Sequence, residues 1–285
     1  MSSALPDASD EEIQTKVKLL EALRRGQEPL WGDPGRGLKP DYLKSDEYKG
    51  LQEMSVLQDT PMSYYLDASH YNLGLLKKAL GTLVYEVKEM EIDPDLDPLK
   101  LAADMEKVLP DLIGNVLRID PGYIAALSSR LGVSSVVISM VGGALIQPSM
   151  TFLASQSEQR LLDAWNHSNC PVCDRQTSIV LKSEGEVWRF KCQYCLADYW
   201  MDIFTCPSCG SKGLDDKELL LVGESQALEI ASCKACSSYY KIINNAKIET
   251  PISEGLEEIY TGQLDEIAQG RGLRRLDEAA PRSEN

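Results

Sequence analysis

The chain has 285 residues, 29 basic and 44 acidic, for a net charge of −15. That length suits one large domain or two ordinary ones. The acidic balance disfavours a nucleic-acid backbone as a general partner, and two histidines in the whole chain leave almost no room for histidine-based catalysis. Residues 1–165 carry 16 basic and 25 acidic residues (net −9), residues 166–247 carry 9 and 10 (net −1), and residues 248–285 carry 4 and 9 (net −5).

Residues 1–9 are small and polar and are expected to be disordered. Lacking a basic segment and an apolar one, they do not read as a signal peptide. Asp10-Glu11-Glu12 opens a helix through Ile13, Val17, Leu20 and Leu23, with its acidic residues on the positive end of the helix dipole. Gly26 ends it. The Gly- and Pro-rich stretch 28–40 reads as a loop, residues 41–59 as a broken helix, and Ser63 to Met90 as one long helix. His70 falls inside that helix in a structural role. Residues 91–98 form an acidic linker with two prolines. Its composition is that of a calcium loop, but the order of its carboxylates is not. Helices follow from Leu99 to Val108 and from Pro110 to Leu117. Asp120 then caps a helix with Pro121 in its first turn, closed at Gly132. The most apolar run, Val133 to Ile146, is too short to span a bilayer and stops at Pro148. The helix that carries it is expected to kink there and reach about Ala154. A last helix covers 157–166.

From Cys170 the pattern changes. All eight cysteines lie between Cys170 and Cys236, as four Cys-x-x-Cys pairs: Cys170/Cys173, Cys192/Cys195, Cys206/Cys209 and Cys233/Cys236. A two-residue gap lets one tight turn aim two sulfurs at one point, so two pairs make a closed tetrahedral site. Cys173 and Cys192 are separated by 18 residues, Cys209 and Cys233 by 23, and Cys195 and Cys206 by 10. The first gap fits the zinc-ribbon spacing of roughly 15–20 residues, and the second is slightly longer. Chain-order pairing is therefore expected: Cys170, Cys173, Cys192 and Cys195 at one site, and Cys206, Cys209, Cys233 and Cys236 at the other. Spacing alone leaves a crossed pairing open. Each ribbon is a knuckle, a hairpin and a second knuckle. Thr177–Leu181 and Val187–Lys191 supply the first hairpin, turning at Gly185, and Glu218–Val222 with Leu228–Ala231 supply the second.

His167 is read as a surface residue rather than a ligand. Trp188, Tyr194, Tyr199 and Trp200 are expected to form a hydrophobic shell for the first site. Tyr239, Tyr240 and Lys241 are expected to cover the second. The strand they begin breaks at Pro251, and a final helix runs from Glu254 to Ala268. The fold class is thus α+β. An all-helical bundle (1–165) precedes two tandem rubredoxin-like or zinc-ribbon units (166–205 and 206–247) and a C-terminal helix with a mobile tail (248–285).

These residues carry a family likeness. Trp165 leads into Cys170-Pro-Val-Cys173, then Cys192-Gln-Tyr-Cys195, Cys206-Pro-Ser-Cys209, Cys233-Lys-Ala-Cys236, the exit Tyr239-Tyr-Lys-Ile and the closing Leu264-Asp-Glu-Ile-Ala-Gln-Gly270. From about 121 to 275 the chain resembles the formate dehydrogenase accessory protein family, FdhE, as a divergent member. The resemblance implies a cytoplasmic, non-enzymatic assembly protein that binds the catalytic subunit of a molybdenum or tungsten formate dehydrogenase. The eight cysteines would hold two metal ions, iron in a rubredoxin-like manner or zinc. Asp174 and Ser237 stand where the family usually has glycine after a knuckle, while Gly210 keeps it. Ile203 stands where an arginine is expected. The alternatives are a rubredoxin-like electron-transfer protein and a zinc-ribbon nucleic-acid-binding protein, the latter disfavoured by charge. No nucleic acid and no membrane insertion are expected, and a homodimer stays open.

Overall fold

The computed structural model describes residues 10–91, 98–165, 167, 169–183, 188–200, 202, 204–223, 227–248 and 252–276. The expected disorder at 1–9, the linker at 92–97, Gly185, Ile203, Pro251 and the tail from 277 lie outside them. The architecture is α+β, with a helical N-terminal part followed by a sheet that carries the cysteine pairs. The chain divides into two compact units, residues 15–157 with 172–174 and the remainder.

The helical unit contains α1 (Asp10–Gly26) from Thr15 on, α2 (Glu28–Trp31), α3 (Pro40–Leu43), α4 (Asp46–Leu57), α5 (Leu73–Glu89), α6 (Pro98–Lys107), α7 (Leu109–Leu117), α8 (Pro121–Leu131) and α9 (Ser135–Gln156). Side chains set several of their ends. Ser45 caps α4 by accepting from the Tyr48 N–H at 3.1 Å. Asp120 caps α8 through the N–H groups of Gly122 (2.9 Å) and Tyr123 (3.1 Å), and Gly132 closes it at φ 68°.

The long helix expected from Ser63 is shorter. The Asp67 carboxylate accepts from the Ser69 N–H at 2.7 Å, and His70 Nδ1 accepts from the Asp67 N–H at 3.0 Å. This reciprocal cap closes a 3-10 turn at Ala68–His70, and Asn72 then caps α5 at Leu73. His70 therefore lies in a turn, with Nε2 3.2 Å from Glu47. Residues 28–31, expected as loop, are helical, with Pro29 in the first turn of α2.

α5 buries Leu76, Leu80, Leu83, Val84 and Val87, the i, i+3, i+4 stripe of an amphipathic helix. It packs on α9, as do α7 and α8. A Cβ on Gly142 would lie 2.9 Å from Val116 Cγ2, so any larger residue would push Val116 of α7 away from α9. As expected, the apolar helix passes Pro148, and it continues to Gln156. A proline removes the N–H that would bond the carbonyl four residues back, here Ala144. Gln27, 2% exposed, fills that gap: its Nε2 donates to Ala144 O at 2.7 Å and to Gln147 Oε1 at 2.9 Å. At 22 residues α9 is long and apolar enough to cross a membrane by length and composition, contrary to the shorter run read from sequence. Yet 67% of its most apolar window is buried inside the protein.

The other unit holds α10 (Gln159–Leu162), β1 (Ile179–Lys182), β2 (Trp188–Lys191), β3 (Asp198–Trp200), β4 (Lys217–Val222), β5 (Leu228–Cys233), β6 (Ser238–Asn244), α11 (Glu257–Tyr260), α12 (Gly262–Gly270) and β7 (Arg274–Arg275). The strand order is β3-β2-β1-β6-β5-β4, with β7 added to β6. Each ribbon gives three antiparallel strands. The two ribbons join through one parallel pair, Ile179–Lys182 against Lys241–Asn244. β3 is the first ribbon's counterpart of β6, since each follows its ribbon's second knuckle. Its edge is covered by α10 and the residues after it: Gln159 Nε2 donates to Asp198 O (3.1 Å), and the Trp200 N–H donates to Asp163 (3.1 Å).

One face of the sheet packs Ile179, Leu228, Ile230, Tyr239 and Ile243 against Leu264 and Ala268 of α12. On the same face lies Lys241, fully buried, donating to Glu258 (2.5 Å) and Asp265 (2.8 Å). Arg275 pairs with the same two carboxylates at 3.4 and 3.2 Å, and Ser178 also donates to Glu258. A buried ion pair holds only when its charges are matched and hydrogen-bonded. Two cations facing two carboxylates meet that condition.

Candidate metal centres

The four knuckles share one local conformation. Cys170, Cys192 and Cys206 each donate a backbone N–H to the carbonyl five residues on, those of Arg175, Ala197 and Ser211, at 2.8–2.9 Å. The residue after each pair is left-handed: Asp174 (φ 66°), Leu196 (65°), Gly210 (75°) and Ser237 (58°). This turn brings the two sulfurs of a pair together. It costs a non-glycine residue about 1–2 kcal/mol. Asp174 and Ser237, the departures noted in the sequence, adopt the glycine conformation nonetheless. So does Leu196.

The sulfurs assemble in chain order. Cys170, Cys173, Cys192 and Cys195 form one group, and Cys206, Cys209, Cys233 and Cys236 the other, with all sulfurs of a group within 4.8 Å of one another. Close approaches are 3.4 Å (Cys170–Cys195), 3.8 Å (Cys206–Cys236) and 3.7 Å (Cys209–Cys233). No disulfide joins them. A disulfide would need about 2.05 Å, whereas a tetrahedron with metal–sulfur bonds of about 2.3 Å has edges of about 3.8 Å. The donor set and its spacing thus fit a four-thiolate metal ion, and each group could hold one.

The two groups differ in cover. All four cysteines of the first are buried. Tyr199 is fully buried and donates to Thr177 Oγ1 at 2.9 Å, and its ring lies 5.5 Å from that of Phe190. The rest of the expected aromatic shell has other work. Trp200 is 48% exposed, Tyr194 lies under the Arg175 guanidinium at 3.4 Å, and Trp188 lies under Lys182 at 5.2 Å. His167 is outside both groups, its ring 4.8 Å from that of Trp165.

In the second group Cys206 and Cys233 are buried, Cys236 is half-buried and Cys209 is exposed. Ser238, which sequence reasoning missed, sets its electrostatics. Its hydroxyl lies 3.0 Å from Cys236 Sγ and 3.7 Å from Cys206 Sγ. Burial works to raise the Cys236 thiol, but the Ser238 hydroxyl and N–H, with hydrogen bonds to Cys209 and Cys206, outweigh it and bring it down to about 6. Burial pushes Cys233 up to about 12 despite N–H donors from Cys236 and Ala235. Of the three residues expected to cover this site, only Tyr240 does. Burial raises its phenol, and so does the negative charge of Cys206 and Cys233. Successive side chains of a strand face opposite ways, so Tyr239 and Lys241 point to the other side of the sheet, where both reach Asp265.

No protein-family model matches the chain. A curated protein of Aquifex aeolicus (strain VF5), named Protein FdhE homolog, is 33% identical over 120 residues, 40% of this chain and 42% of that protein. The chain resembles FdhE. The crystal structure of the FdhE protein from Pseudomonas aeruginosa superposes with a TM-score of 0.55, over 98% of this chain and 99% of that one. At 14% identity this likeness is one of fold. The sequence match to the Aquifex FdhE homolog spans less than half of that relative's length.

Proposed function

We propose that the protein is a non-enzymatic, cytoplasmic accessory factor of FdhE type that binds the catalytic subunit of a molybdenum- or tungsten-dependent formate dehydrogenase during its maturation. The observation that carries this reading is the pair of four-cysteine groups within an FdhE fold. Cys170, Cys173, Cys192 and Cys195 would hold one ion, and Cys206, Cys209, Cys233 and Cys236 the other. Four thiolates suit iron and zinc alike. A bound ion would supply cross-links between the knuckles and, if iron, a one-electron couple. The chain's own residues orient the sulfurs through the left-handed turns, and Ser238 and Tyr240 set the surroundings of the second group. The division of labour goes with this reading: a helical part before about 165, two ribbons at 166–205 and 206–247, and a C-terminal segment.

The test is affinity capture of the tagged full chain from its host under anaerobic conditions. Recovery of a formate dehydrogenase large subunit, lost when the captured chain has been stripped of metal, is expected. Repeated recovery without any such subunit, from cells that express the dehydrogenase, contradicts the proposal.

A further inference from the structure

Two sites of the same chemistry differ in one respect, access. The first tetrad is enclosed on every ligand, while the second opens to solvent at Cys209 and in part at Cys236. The chain explains the difference. Cys233 and Cys236 join β5 to β6 inside the sheet, so one knuckle is held by strands on both sides. In the first tetrad the Cys170–Cys173 knuckle, which no strand flanks directly either, is tied by the Ser63 N–H donating to Val172 O at 2.9 Å and the Tyr64 hydroxyl donating to Asp174 at 3.0 Å; in the second, the Cys206–Cys209 knuckle likewise has no strand flanking it directly among the described residues. It is followed by Gly210 and a 3-10 turn at Leu214–Asp216. Around it the Asp202 carboxylate accepts from the Thr205 hydroxyl at 2.6 Å and Ser211 Oγ donates to Asp216 at 2.5 Å, and the turn is tied to the sheet where the Lys234 N–H donates to Asp216 O at 2.7 Å. Local opening takes its lowest cost where few buried contacts and little strand pairing hold a segment.

We infer that the second tetrad is the exchangeable one, loaded and unloaded through Cys209, while the first holds its ion as a permanent staple. This rests on the metal reading proposed above. Cys209 is the thiolate that leaves. It gives up its bond to the ion as a donor atom of an incoming thiol or aminocarboxylate ligand takes its place, and it is protonated from water. No oxidation state changes. Cys236 leaves next, and the buried Cys206 and Cys233 leave last. The second site can therefore pass its ion to a ligand of higher affinity without unfolding the sheet.

The experiment uses the full chain reconstituted with Zn²⁺, challenged with excess EDTA and followed by native mass spectrometry. Two phases are expected, one ion leaving on the order of tenfold or more faster than the other. Cys209→Ser should retain the slow ion and lose the fast one. In parallel, brief iodoacetamide treatment of the unmutated loaded chain, mapped by peptide mass spectrometry, should label Cys209 first, Cys236 second, and the first tetrad last. Loss of both ions in a single phase, or labelling that begins at Cys170, Cys173, Cys192 or Cys195, overturns the inference while leaving the metal reading intact. A reconstituted chain that binds no ion overturns both.

Discussion

The helical unit and the sheet unit hold themselves together by different means. In the helical unit the core is apolar and continuous: Leu76, Leu80, Leu83, Val84 and Val87 on α5, and Val137, Ile138, Val141 and Leu145 on α9, are all nearly inaccessible. Each such side chain contributes about 1.5–3 kcal/mol on burial. The sheet unit has one compact apolar cluster on one side of the sheet, a buried charge network beside it, and seven of the eight cysteines, Cys173 being counted with the helical unit. Its strands are three to seven residues long, apart from the two-residue β7. On the reading proposed above, a unit built this way would draw its stability from cross-links more than from area, since a structural four-thiolate ion supplies on the order of 10 kcal/mol. The contrast teaches that metal and fold are one question in the second half of the chain and separate questions in the first.

The largest effect expected is from Cys170→Ser, which removes a buried ligand from the enclosed tetrad. It should unfold the sheet unit while the helical far-UV circular dichroism signal persists. Loss of both signals together would erase the distinction between the units. A paired comparison sharpens it. Lys241→Ala leaves the half-buried Glu258 and Asp265 with Arg275 as their one remaining cation, and should lower the sheet unit's urea stability by about 1–3 kcal/mol. Gln27→Leu leaves the Ala144 carbonyl without a donor, and should lower the helical unit's by about 1–3 kcal/mol. Each change should shift one transition and spare the other, read by hydrogen exchange across the urea range. The smallest effect is a gain. Ser237→Gly relieves a left-handed serine and should raise the sheet unit's stability by up to about 1 kcal/mol. A loss there would show that the serine side chain matters more than its backbone.

Short-range features were legible in the sequence and long-range ones were not. The four knuckles, the Asp120–Pro121 start and the Gly132 stop each depend on residues within a few positions, so spacing and residue type sufficed. Gap lengths favoured the chain-order grouping of the sulfurs that the structure shows, while leaving a crossed pairing open. The start of α5 was misplaced because the apolar stripe runs on through Leu66, whereas the Asp67–His70 cap competes for the backbone there. That α9 continues past Pro148 was legible, but the donor that serves its freed Ala144 carbonyl, Gln27, lies 117 residues away and was not. The parallel pairing of β1 with β6 joins segments about 60 residues apart, and no local pattern announces it. β3 is three residues long and gave no alternation to read, although its place after the second knuckle matches that of β6. The unequal cover of the two tetrads was invisible, since both have the same spacing.

On the reading proposed above, bound metal would hold the sheet and not the helical core of α5 and α9. Hydrogen–deuterium exchange of the full chain, metal-loaded and chelator-stripped, tests it directly. Stripping should abolish amide protection across 179–182 and 228–243 while protection across 76–87 and 137–153 stays unchanged. Protection retained in the sheet strands after complete metal removal, or lost equally from α5 and α9, would contradict it.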